Sequence, residues 1–138
     1  AVWEEVELPA ILIFLSTFFW AAGYDTLYGM IDKEDDLRIG VKSTAILFGK
    51  HVGMAVAILF LLTVLLLVVV GWRTHLGYPF HASIAVVTFY FLYQSLRISG
   101  EGVEKEVLFG LFKAHRWVGV IILAGLEIDL LIGGDYAI

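Results

Sequence analysis

The sequence predicts an all-α membrane protein, a bundle of transmembrane helices, and two observations carry that prediction. Of its 138 residues, 60% are apolar and only 17% are charged, whereas a soluble domain is ~45–50% apolar and ~25% charged. A soluble core of this size buries only part of its surface and has no room for so much apolar material. The apolar residues are also gathered into four long runs, each close to the ~20 residues that cross ~30 Å of hydrocarbon. The same numbers exclude a disordered chain, and a net charge of −5 excludes a nucleic-acid binder. With no cysteine present, disulfide frameworks, thiolate metal sites and cysteine nucleophiles are excluded too.

Taken in order, the first span covers 8–31 and opens with Pro9, a residue tolerated in the first helical turn. The second covers 52–72 and is the purest, with LFLLTVLLLVVV at its centre. Its β-branched run does not make it a strand, because an isolated strand leaves its backbone unsatisfied in lipid. The third covers 78–98 and is aromatic, through Phe89, Tyr90, Phe91 and Tyr93. The fourth covers 107–131, with polar residues towards both ends. Ala21, Ala22 and Gly23 in the first span permit close helix approach.

Orientation follows from the basic residues. Segment 32–51 holds Lys33, Arg38, Lys42 and Lys50, and Arg97 and Lys105 flank the connection between the third and fourth spans. The other side has Arg73 alone, together with Glu4, Glu5, Glu7 and Asp135. Positive charge marks the cytoplasmic or matrix side, so segment 32–51 is expected there and both chain ends opposite. Trp3, Trp72 and Tyr136 then fall in an aromatic belt, and His51, His75 and His81 at span ends read as interfacial. The start at Ala1 rather than Met leads to the expectation of a part upstream.

The chemistry is concentrated in YDTLYGMIDKEDDLRIGVKSTAILFG, Tyr24 to Gly49. Asp25, Asp32 and Asp36 are seven and four residues apart. On a continuing helix these steps set all three within about 40° of one another, with Tyr28 on the same side. Asp32 and Asp36 would stand about 6 Å apart along the axis, a spacing that lets two carboxylates share a hard divalent ion or bracket a diphosphate through it. Mg²⁺ suits such a pair, because it takes oxygen ligands from one or two carboxylates plus substrate phosphates. A calcium loop of the EF-hand type fails, with Leu37 where glycine is needed and Ser43 where glutamate is needed. The alternative for DKEDD is a solvated helix cap, but a cap does not explain Asp25, about two turns inside an apolar span. Arg38 and Lys42 are placed to meet phosphate oxygens, or else serve as positive-inside anchors.

This stretch resembles the second aspartate-rich motif of the UbiA family of intramembrane prenyltransferases. Most narrowly it is similar to the branch acting on 4-hydroxybenzoate, whose pattern reads YDTxYAxxDxxDDxxIGxKSTAILFG. Gly29 stands where that pattern commonly has alanine. FKAHRWVG, Phe112 to Gly119, resembles the start of the family's last helix, where asparagine is frequent at the place of His115 or Arg116.

The resemblance implies a nine-helix fold of which this chain supplies about the last four helices. The first aspartate-rich motif, of NDxxDxxxD type, does not occur in the sequence. The expectation is therefore a C-terminal part, inactive alone, whose partner is a missing N-terminal half. The implied reaction is transfer of a polyprenyl group from polyprenyl diphosphate to the ring of 4-hydroxybenzoate in ubiquinone biosynthesis, in a bacterial or mitochondrial inner membrane. Carried over by position, Asp32 and Asp36 bind Mg²⁺, and Lys42 and Arg38 hold diphosphate oxygens. Asp25 ligates a second ion, orients substrate or accepts a proton. Tyr28 either faces the allylic cation or simply packs. His115, with Lys113 and Arg116, either contacts substrate or snorkels to the interface. Two rival readings stand beside this one: a relative prenylating a naphthoate or a haem precursor, and a non-catalytic membrane subunit that binds divalent ions. Glu127 and Asp129 are given no role.

Overall fold

A computed structural model describes residues 2–31, 39–40, 51–98 and 104–132. They form four helices: α1 (Val2–Ile31), α2 (Val52–Arg73), α3 (Tyr78–Ile98) and α4 (Lys105–Ile132). Each predicted span lies within a helix of matching position. Pro9 is the exception to the expected detail: α1 begins at Val2, so the proline sits inside the helix rather than in its first turn. It removes one backbone donor there.

By length and composition three helices are able to cross a membrane: Glu7–Ile31 within α1, then α2 and α4. α3, with 21 residues, is long enough at ~1.5 Å per residue but less apolar than the sequence reading assumed. Its serine and threonine hydroxyls are answered locally. Ser83 donates to the Phe80 carbonyl, Thr88 to that of Ile84 and Ser95 to that of Phe91, the back-bonding that lets hydroxyls sit in apolar helices.

The helices form a ring. α1 packs on α2, α2 on α3, α3 on α4 and α4 on α1, while α1 and α3 lie diagonally without contact among the described residues. Neighbours run antiparallel, as the residue pairs show: Ser16 donates to the Thr63 carbonyl at 3.1 Å, Phe60 stacks on Phe91 at 4.3 Å, and Tyr90 donates to the Leu111 carbonyl at 2.6 Å. Gly23 permits the α1–α2 approach, since a Cβ there would meet the Phe60 ring at 2.7 Å. The core runs through Leu27, Val56, Phe60, Val87, Phe91 and Val118.

What is buried and what is exposed identify the solvent. Phe14, Phe18, Leu61, Phe89, Leu123 and Leu131 point outwards. Ser16, Thr26, Thr63, Gln94, His115 and Asp129 are buried. An apolar exterior around hydrogen-bonded polar contacts is the arrangement of helices in lipid, and the protein is an integral membrane protein.

The α2–α3 corner is tightly built. Leu76 N–H bonds the Gly71 carbonyl and His75 N–H that of Trp72, a Schellman closure in which His75 takes the left-handed position with φ 58°. α3 then starts without a local side-chain cap. Asp129, buried on α4, supplies it instead: its Oδ2 accepts from Gly77 N–H at 2.7 Å and Phe80 N–H at 3.2 Å. Gly125, one turn earlier, allows the approach, because a Cβ there would press on the Ser83 side chain and meet the Pro79 carbonyl at 2.9 Å.

Candidate functional site

The last two turns of α1 carry the described part of the candidate site. Thr26 and Leu27 are turned into the bundle with no exposed surface. Asp25 and Tyr28, on either side of them in sequence, are turned out, Tyr28 by 47%. The period of the helix thus sets the two predicted catalytic residues on one outward face. An ionisable group at membrane depth normally faces protein or an aqueous cavity rather than lipid. Asp25 therefore marks this face of α1 as one that lipid alone does not cover.

Aromatic rings from α4 back that face. Tyr24 stacks on Phe112 with centroids 4.6 Å apart, and Tyr28 leans on the same ring at 5.2 Å. Phe109 lies one turn away at 6.4 Å, with Lys113 Nζ over it at 4.5 Å. Tyr28 is thus both packed and exposed, with its ring held at an angle by Phe112.

The diphosphate and metal candidates Asp32, Asp36, Arg38 and Lys42 lie outside the described residues. α1 leads directly to the first of them, since Ile31 is its final residue. Among the described residues no three acidic or histidine side chains converge as a metal site. Asp25 alone there offers a hard oxygen donor beside the aspartate-rich segment, which matches the donor chemistry a divalent magnesium-like ion takes.

His115 is where the sequence reading needs correction. It does not snorkel to the interface; it is 1% exposed, at the centre of the bundle. Trp20 Nε1 donates to its Nδ1 at 3.0 Å, and its Nε2 lies 2.7 Å from Gln94 Oε1. Phe60, Tyr90 and Phe91 pack around the imidazole with centroids 5.1–5.9 Å away. Trp20 and Gln94 were missed, and Asp129 was seen without a role. A glutamine in an apolar helix was the available signal for Gln94. For the Trp20–His115 pair, 95 residues apart, local pattern offers none.

Comparison with known proteins follows the same lines. Residues 1–117 match the UbiA prenyltransferase family. A 4-hydroxybenzoate octaprenyltransferase of Citrobacter koseri is 41% identical over 129 residues, covering 94% of this chain and 44% of the relative. A protein of the same name from Yersinia pseudotuberculosis is 42% identical with the same coverage, and one from Yersinia pestis is 41% identical. The chain spans less than half the length of the curated relatives it matches. No solved structure matches it.

Proposed function

The chain belongs to the UbiA prenyltransferase family, and from that premise we propose that the full-length protein transfers a polyprenyl group from polyprenyl diphosphate to the ring of 4-hydroxybenzoate, in ubiquinone biosynthesis. Relatives named 4-hydroxybenzoate octaprenyltransferase, alike over 94% of this chain, support the donor and the acceptor. The observation that carries the reading is the outward pair Asp25 and Tyr28 on the turns that lead into DKEDD.

In this reading the carbon–oxygen bond of the allylic diphosphate breaks and diphosphate leaves with the electron pair. The ring carbon beside the phenol then forms the new carbon–carbon bond and gives up its proton. Asp32 and Asp36 would hold a divalent ion, Mg²⁺, which when bound would supply positive charge against the oxygens of the leaving diphosphate. Lys42 and Arg38 add fixed positive charge at the same oxygens, Arg38 by a two-pronged contact and Lys42 as a point charge. Tyr28 presents its ring to the allylic cation, and Phe112 fixes the angle at which it does so. Asp25 orients the acceptor or takes the ring proton. The other acidic motif and the rest of the site come from an N-terminal half. The aspartate-rich segment faces the cytoplasm or matrix, in an inner membrane, as the positive charge of 32–51 supports.

The test is substitution in the full-length protein. Asp32→Ala and Asp36→Ala are each expected to abolish prenyl transfer while the protein still inserts in the membrane. Transfer retained in both variants would refute their assignment as ligands.

A further inference from the structure

His115, on α4, meets a side chain from each of the other three helices: Trp20 and Tyr24 on α1, Phe60 on α2, and Tyr90, Phe91 and Gln94 on α3. The protons in this chain are fixed by chemistry. An indole nitrogen only donates, so Nδ1 of His115 is the acceptor and the proton of the neutral ring is on Nε2. It is donated to Gln94 Oε1, which fixes the Gln94 amide as well, because the flipped amide would set two donors face to face. Gln94 is wholly buried, and its amide nitrogen has no partner among the described residues. The bundle thus keeps a directional chain, Trp20 to His115 to Gln94, at the cost of one unanswered donor.

We propose that His115 is a positioning residue: through Trp20 it fixes the rotation of α1 about its axis, and so the direction in which Asp25 and Tyr28 point. The inference rests on the functional reading above. Trp20, Tyr24 and Tyr28 rise along one side of α1 at successive turns. α4 holds all three, Trp20 through His115 and both tyrosines through Phe112, three residues before it. The two ring contacts allow sliding, whereas the 3.0 Å N–H···N bond is directional. At a side-chain radius of ~5–6 Å, a rotation of about 10° moves the tip of Asp25 or Tyr28 by about 1 Å. A misplacement of that size at a reacting centre lowers a rate by up to ~10²-fold. If His115 served packing alone, phenylalanine would fill the same aromatic surroundings.

The experiment uses the full-length protein and compares His115→Phe with His115→Gln, whose amide again offers one acceptor and one donor. His115→Phe is expected to lower kcat by about 10- to 100-fold, with KM for polyprenyl diphosphate within about twofold, and His115→Gln to recover to within about threefold of the parent. Trp20→Phe should copy His115→Phe, and the double variant should be no worse than either, as for residues acting through one contact. In protein labelled with ¹⁵N-tryptophan, the Trp20 indole N–H resonance should move in His115→Phe and stay in His115→Gln. Parental kcat in His115→Phe, equal impairment in His115→Gln, or losses that multiply in the double variant would each overturn the proposal. A parent that transfers no prenyl group overturns the functional reading and this inference with it. An active parent indifferent to His115→Phe overturns this inference alone.

Discussion

Replacing Asp129 by alanine removes the carboxylate that caps α3 from α4. The first turn of α3 has few donors to satisfy. Pro79 has no N–H, and the His81 N–H bonds the Gly77 carbonyl at 3.3 Å. The Gly77 and Phe80 N–H groups depend on Asp129 Oδ2. Orphaning a buried donor costs about 1–3 kcal/mol, and losing a helix cap about 0.5–2 kcal/mol. Against this, Asp129 Oδ1 is buried without a partner among the described residues, and alanine relieves that penalty. The cap and the two donors are one effect, so the net expectation is a loss of about 1–3 kcal/mol. Asp129→Asn keeps an acceptor oxygen for both donors, loses the charge and exchanges the unpartnered Oδ1 for an unpartnered amide nitrogen, so it should cost about 1 kcal/mol. The assay is reversible unfolding of the full-length protein in mixed micelles, titrated with dodecyl sulfate. Asp129→Ala within about 0.5 kcal/mol of the parent, or Asp129→Asn as damaging as alanine, would refute the reasoning.

Four further outcomes are expected. Gly23→Ala should destabilise by about 1–3 kcal/mol, because its Cβ meets a Phe60 ring held against Phe91. Gly119→Ala, whose Cβ has open space, should gain about 0.5–1 kcal/mol in the same unfolding assay. His75→Gly relieves a left-handed residue at the end of α2 and should raise stability by about 1 kcal/mol; an unchanged midpoint would mean that the turn carries no strain. Chelation of divalent ions should stop prenyl transfer by the full-length protein and added Mg²⁺ should restore it, so undiminished transfer in chelator would contradict the metal assignment.

The positions of the four helices were legible because bilayer thickness and backbone satisfaction leave one answer for an apolar run of about 20 residues. The outward pairing of Asp25 and Tyr28 was legible for a similar reason: three residues of helix bring side chains to neighbouring positions. Pro9 misled because proline is at home in a first turn, while α1 extends seven residues further towards its start. His115 misled more seriously, and Asp129 was left without a role. A charged or polar residue near a span end has a ready local explanation in snorkelling. Its true partner sat 95 residues away for His115 and 52 for Asp129. Such pairings depend on how the helices are rotated against one another, which no periodicity within a single helix records. The absence of a local cap before Tyr78 was the one sequence clue that α3 needed a distant acceptor.

The central claim is tested most directly by incubating membranes that hold the full-length protein with labelled polyprenyl diphosphate and either 4-hydroxybenzoate or a naphthoate acceptor. The account predicts label in ring-prenylated 4-hydroxybenzoate and none when Asp36→Ala replaces the parent at equal membrane content. Label transferred to the naphthoate alone, or to 4-hydroxybenzoate equally by parent and variant, would contradict it.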